Sequence, residues 1–230
     1  MDLLEVALVK QLLKVLVGSR AHNLHTDDSD YDYRAVFQHP TTSLVGLNPS
    51  SKNTHWVEGQ PEPEGKTDAT AWELGHFLRL ATHCNPTILE VFFAPQIEST
   101  KVGDDLRNLF PVIWNPDAVV QAFIGYGRNQ RTKFLAGEDN PKYAVAYLRV
   151  LYQAEILLAT KVLPVDMRDT PVYDTLSRWR KGLYTKGEVI DRCLNQEQRI
   201  RTAFQTCVQV PDLLIVDQWL LFQRQEYFDG

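Results

Sequence analysis

The 230-residue chain reads as an α+β protein, and three observations predict that class. A short apolar run, Lys14-Val-Leu-Val17, stops at Gly18–Ser19. A second run rich in aromatic and β-branched residues, Asp30-Tyr-Asp-Tyr-Arg-Ala-Val-Phe37, has strand character. Beyond Asn115-Pro-Asp117 the apolar residues keep a helical spacing to the end of the chain. A division near Pro111–Pro116 therefore predicts a mixed unit over residues 1–110 and a helical unit over residues 111–230.

In chain order, Leu3, Leu4, Ala7, Leu8, Gln11 and Leu12 recur at helical spacing and predict an opening helix that carries Lys10 outward. The strand Lys14–Val17 follows, and Ser19-Arg20-Ala21-His22 turns into a short helical segment. The strand from Asp30 to Phe37 comes next, then polar connectors at Asn48–Ser51 and Gly59–Gly65; the second reads as a loop or hairpin tip. Asp68–Trp72 is extended and leads into a helix from Glu73 to His83. Asn85-Pro86 opens a further apolar helix through Ile88, Leu89, Val91 and Phe92, with Glu90 read as a surface acid. In the helical unit, Asp117 starts a helix that packs Val119, Val120, Phe123 and Ile124 inward. A long helix runs from Lys142 to Thr160, another runs to Thr206, and Pro211 separates it from a last helix carrying Ile215, Trp219, Leu220 and Phe222.

Composition narrows the classes of function. The chain is 44% hydrophobic and 23% charged, as in ordinary globular proteins, and no run reaches the length of a membrane span. Three scattered cysteines, Cys84, Cys193 and Cys207, fit neither a disulfide framework nor a zinc site, and predict packed thiols in a reducing cytoplasm. The net charge of −5 argues against indiscriminate nucleic-acid binding. The negative excess sits in residues 1–115, while residues 116–230 hold clusters such as Arg128-Asn-Gln-Arg-Thr-Lys133 and Arg178-Trp-Arg-Lys181. Either cluster is a solvated helix face or a phosphate contact, with Trp179 available to stack on a base. No Walker-type loop, dinucleotide fingerprint or Ser/His/Asp pattern is present. His22 and His25 read as local hydrogen-bonding residues, and His76 and His83 lack the further ligands a zinc site needs.

The chemistry concentrates between Val15 and Arg34. Side chains alternate along a strand, so Asp30, Asp32 and Arg34 share a face, with the two carboxylates about 7 Å apart. Like charges that close raise each other's pKa unless a cation intervenes, and hard oxygen ligands suit Mg²⁺ or Mn²⁺. The Gly18–Ser19 turn lets backbone N–H groups, the Ser19 hydroxyl and Arg20 approach phosphate oxygens. Alone, a Gly-Ser step or an Asp-x-Asp pair is an ordinary turn or strand feature. Together, within twenty residues, they have the parts that chemistry on a nucleoside triphosphate requires. Lys142, Ala146 and Arg149 share a face of the long helix, from which Lys142 and Arg149 can point at a nucleotide or stand as exposed cations. Arg128 and Arg131 are weaker substrate-contact candidates.

Gly18-Ser19, ten intervening residues and Asp30-Tyr-Asp32 resemble the signature of the DNA polymerase β-type nucleotidyltransferase superfamily. The wording Gly-Ser-Arg-Ala and Asp-Ser-Asp-Tyr-Asp-Tyr-Arg is similar to its branch of predicted nucleotidyltransferases linked with RNA repair in bacteria and bacteriophages. The likeness continues in Asp68-Ala-Thr-Ala-Trp-Glu-Leu, in Phe77-Leu-Arg-Leu-Ala through Asn85-Pro-Thr-Ile-Leu-Glu90, and in Lys142-Tyr-Ala with Leu148-Arg-Val-Leu151. Asn23 replaces the usual Gly, and Ala146 stands where relatives often place His.

The resemblance implies a polymerase β-type core, a mixed sheet with flanking helices, followed by a C-terminal helical bundle. It also implies two Mg²⁺ or Mn²⁺ ions held by Asp30, Asp32 and a third carboxylate. Asp68 matches that third position best, with Glu73 and Glu58 as alternatives. Gly18, Ser19, Arg20, Arg34, Lys142 and Arg149 are the implied nucleotide contacts. The implied substrates are a nucleoside triphosphate and an acceptor hydroxyl, with RNA as the expected acceptor and a protein or small molecule as the alternative.

Overall fold

The computed structural model describes residues 9–50, 53–54, 67–136 and 140–228, of which 53–54 and 67–69 are described as backbone. A five-stranded mixed sheet is built from β1 (Lys10–Val17), β2 (Tyr31–Gln38), β3 (Asn53–Thr54), β4 (Thr67–Glu73) and β5 (Gln96–Ser99). The spatial order is β3-β4-β2-β1-β5. β1 runs antiparallel to both β2 and β5, whereas β2 and β4 are parallel. The fold is thus α+β, with a mixed sheet, flanking helices and a helical C-terminal part.

The predicted opening helix is corrected in its second half: Gln11 and Leu12 belong to β1, which begins at Lys10. The reason is a bulge between Gln11 and Leu13, around which Leu12 and Leu13 are buried in succession, so the apolar spacing mimics a helix. Residues 3–8 of that prediction, the Gly59–Gly65 loop and Glu58 lie outside the described residues.

Between β1 and β2 sits the short helix α1 (Gly18–Ala21), and α2 (Thr42–Val45) follows β2. Next come α3 (Leu74–Thr82), α4 (Pro86–Leu89), a 3-10 turn (Glu90–Phe92), α5 (Lys101–Asn108) and α6 (Phe110–Ile113). The remainder is helical: α7 (Pro116–Leu135), α8 (Pro141–Thr160), α9 (Tyr173–Arg180), α10 (Lys186–Thr206) and α11 (Leu213–Glu226).

Helix starts follow capping chemistry. Asn115 and Asn140 accept backbone N–H bonds from Ala118 and Lys142, each just ahead of a proline in the first turn. Thr185 caps α10 through Glu188 N. One apolar core runs from Val15 and Phe77 beside the sheet to Leu151, Trp179 and Ile200 among the helices. Trp179 is 0% exposed, which removes it as a base-stacking surface; its indole instead donates to Glu188 at 3.3 Å. Cys84 and Cys193 are buried free thiols. Burial pushes the Cys84 thiol up to about 11 and raises Cys193 as well, so both stay protonated and inert. Among the described residues, no helix is long and apolar enough to cross a membrane.

Candidate active site

The site forms where β1 ends and β2 begins. Their antiparallel register sets Val17 opposite Asp32, so Gly18 leaves the sheet directly beside the Asp32 side chain. Gly18 has φ +70°, and a Cβ there would come within 2.9 Å of the Asp32 Cγ and closer still to Oδ2. Only glycine satisfies both the left-handed backbone and the close approach. Asn23 takes the other left-handed position of the turn, φ 55°, as expected of an asparagine in place of glycine.

Arg20 secures this turn. Its Nε and Nη2 donate to the Ser29 carbonyl at 3.1 and 2.8 Å, and the guanidinium lies 3.9 Å from the Tyr31 ring centroid. Arg20 therefore fixes the chain just ahead of Asp30, and it is not part of the cavity wall. Asp68 is drawn in from the far edge: the parallel β2–β4 register pairs it with Asp32. Glu73, the alternative third acid, falls at the opposite end of that ladder, in register with Phe37. There it forms an ion pair with Arg224 at 2.6 Å and caps α3 by accepting from Gly75 N.

A cavity of about 250 Å³ opens over the turn. Gly18, Ser19, Asp30 and Asp32 form its sheet side, and Lys142, Arg149 and Arg180 approach from α8 and α9. The predicted residues Gly18, Ser19, Asp30, Asp32, Lys142 and Arg149 are thus brought together, although the helices lie more than a hundred residues beyond the turn. Arg34 lies in an adjoining cavity, while Arg128 is drawn to Glu197 at 3.7 Å.

Of the Arg178–Lys181 cluster, for which a solvated face and a phosphate contact are the two expectations, Arg180 lines the cavity, and its Nε is buried without a hydrogen-bond partner. Neither it nor the Lys142 ammonium has an acidic partner among the described residues. Cations on one wall and aspartates on the other give the cavity two oppositely charged sides.

Beneath the turn lies a second unexpected feature. Glu90 is 8% exposed and not a surface acid, because the 3-10 turn tucks it under α1. His22, 3% exposed, places Nε2 3.1 Å from the Glu90 carboxylate, and its Nδ1 donates to the Val165 carbonyl at 2.8 Å. His22 is therefore a long-range tie between the turn and the helical part. Burial alone would push the Glu90 carboxyl up, but His22, Arg149 and Arg34 outweigh it and hold the group below the usual carboxylate range. Arg149 is itself aimed by Gln153, whose Oε1 accepts at 2.9 Å while its Nε2 donates to the Pro164 carbonyl.

Comparison with known proteins gives the family. Residues 4–186 match the model of the RlaP family, described as the RNA repair pathway DNA polymerase beta family. The chain belongs to this family. A Bacillus subtilis (strain 168) relative, the uncharacterized protein YcgL, is 28% identical over 134 residues, 57% of this chain and 49% of that protein. The chain thus spans about half the length of that curated relative. A solved nucleotidyltransferase-like protein from Exiguobacterium sibiricum 255-15 is similar at 12% identity and TM-score 0.32, over 96% of this chain and 76% of that one. In this RlaP-family chain the matched region contains the Gly-Ser turn, the Asp pair, Lys142, Arg149 and Arg180, and ends where α10 begins.

The donor chemistry of the turn fits a small divalent cation. Asp30 and Asp32 bring hard oxygens to one wall, and the glycine beside Asp32 keeps its carboxylate clear of side-chain bulk. Among the described side chains no three His, Cys, Asp or Glu cluster as ligands; the Asp68 side chain is not among them.

Proposed function

We propose that this polymerase β-type chain transfers a nucleoside monophosphate from a nucleoside triphosphate to an acceptor hydroxyl, with RNA as the acceptor. The observation that carries the reading is the cavity itself: Asp28, Asp30 and Asp32 near a glycine turn, sharing it with Lys142, Arg149 and Arg180. A triphosphate is the substrate whose charge such a pair of walls divides.

In this reading Ser19 contributes its hydroxyl to the triphosphate, and Lys142, Arg149 and Arg180 receive the β- and γ-phosphates. Arg20 keeps the segment before Asp30 in place through Ser29. Asp30, Asp32 and Asp68 are the residues that would hold two Mg²⁺ or Mn²⁺ ions, which when bound acidify an attacking hydroxyl and neutralise charge on the leaving group. The hydroxyl oxygen bonds to the α-phosphorus, and the bond from that phosphorus to the β-phosphate oxygen breaks with its electron pair. Pyrophosphate leaves, and the hydroxyl proton passes to an Asp68 carboxylate oxygen.

The RNA acceptor is supported by the family's description as an RNA repair polymerase group. The test is a labelling screen with each α-labelled NTP and Mg²⁺ against RNA, protein and small-molecule acceptors. Label in RNA, abolished by chelation, is the expected result. Absence of label and of pyrophosphate with every NTP and acceptor would falsify the transferase reading.

A further inference from the structure

A second cavity, of about 270 Å³, shares Gly18, His22, Asp32 and Arg149 with the first. Arg34, Thr87 and Tyr126 line it away from Lys142 and Arg180. We propose that this cavity is the acceptor subsite, and that it takes the terminal nucleotide of an RNA strand, phosphate on Arg34 and base on Tyr126. The inference rests on the transferase reading and extends it to a site and a chemical class.

The first argument is directional. An in-line displacement needs the attacking oxygen opposite the leaving pyrophosphate. Lys142 and Arg180 assign pyrophosphate to the first cavity, so the acceptor must approach the Asp pair from elsewhere. The second cavity reaches the same Asp32 from beside Arg34 and Thr87.

The second argument is chemical. Arg34 is half-buried; one Nη donates to the Tyr33 carbonyl at 3.2 Å, while its Nε is buried with no hydrogen-bond partner. A planar guanidinium with a donor to spare suits a phosphodiester oxygen. Tyr126 is half-buried against the core, and its hydroxyl has no partner among the described residues. Its ring offers a stacking surface that any base can use. Glu90 also lines this cavity, held at its floor 3.1 Å from His22, with the guanidinium groups of Arg34 and Arg149 on the same lining.

The test uses the full chain with two probes. One is a fluorescein-labelled oligoribonucleotide ending in a 3′-deoxynucleotide, which binds without reacting. The other is α,β-methylene-ATP with Mg²⁺. In Arg34→Met and in Tyr126→Leu the RNA affinity should fall roughly tenfold or more, while the ATP-analogue affinity stays within about twofold. Tyr126→Phe should retain RNA binding, which separates stacking from any loss of fold. Unchanged RNA affinity in both variants, or an equal loss of both probes, overturns the proposal. A wild-type protein that binds the analogue but not RNA, and labels a protein or small molecule, overturns the subsite while leaving the transferase reading intact. Wild-type protein that binds neither probe removes both.

Discussion

The two ends of the β2–β4 ladder carry acids in opposite circumstances. At one end Asp32 is in register with Asp68 and faces a cavity beside Gly18; at the other Glu73 is in register with Phe37 and sealed against Arg224. The closed end is a packing device. Gln38 donates to the Gln223 carbonyl, Thr41 N bonds to the Tyr227 carbonyl, and the Lys10 ammonium lies 3.4 Å from the Tyr227 ring centroid, so α11 is tied to the sheet. At the open end Asp30 and Asp32 share a cavity with Lys142, Arg149 and Arg180 of α8 and α9. An acid that finds its cation within the fold contributes stability, and one that faces its cation across a cavity is available for chemistry.

Substitution should separate these roles most widely at the two acids themselves. Asp32→Asn is expected to lower nucleotide transfer by about a thousandfold or more, with thermal unfolding unchanged or slightly raised. Glu73→Ala leaves Arg224 buried without its partner and removes the α3 cap, so stability should fall by about 3–5 kcal/mol in denaturant titration. Activity per folded molecule should survive in that variant. If Glu73→Ala lost turnover while keeping its fold, the distinction between the two ends would break.

Gly18→Ala tests the contact that defines the open end. Strain at a left-handed backbone plus displacement of the Asp32 carboxylate should cost about 1–2 kcal/mol and roughly a hundredfold in turnover. An alanine variant with wild-type rates would mean that Asp32 need not sit against the turn. A smaller effect is expected on the helical wall: Arg180→Ala should raise the NTP KM about tenfold with little change in kcat or Tm. Equal KM values in that variant would return Arg180 to the role of a surface cation.

The smallest effect concerns acid stability. The folded Glu90 carboxyl titrates below the unfolded one, so between the two the unfolded state binds more protons than the native state. Its contribution is fully present above the ordinary glutamate pKa of about 4.3 and is lost as pH drops through the lower folded value. Glu90→Gln should therefore show a shallower loss of stability than the wild type between roughly pH 5 and 3, measured by urea unfolding. An identical slope would mean that the buried pair with His22 does not govern this window.

Much of the open end was legible because it is local. Gly18, Ser19, Asp30 and Asp32 belong to one turn and the strand residues beside it; Asp30 stands just ahead of β2 and Asp32 within it, and both line the cavity. The left-handed Asn23 and the Asn-Pro starts of α7 and α8 are likewise written in adjacent residues. What escaped depends on distant partners. Glu90 looks exposed until α1 lays His22 over it, and Arg180 looks like a surface cation until α9 turns it toward Lys142. Trp179 reads as free to stack because no local signal shows that α9 packs against α8 and carries it into the core. Gln11 and Leu12 mislead for a local reason: the bulge between Gln11 and Leu13 interrupts the alternation that marks the rest of β1.

The account depends on the carboxylates beside Gly18 acting on a nucleoside triphosphate. The most direct measurement is pyrophosphate release from each NTP with Mg²⁺ and an RNA acceptor, run in parallel for the wild type and Asp32→Asn at matched folded concentration. Release by the wild type, absent from the variant and stopped by chelation, is the predicted result. Equal release from both proteins would contradict it.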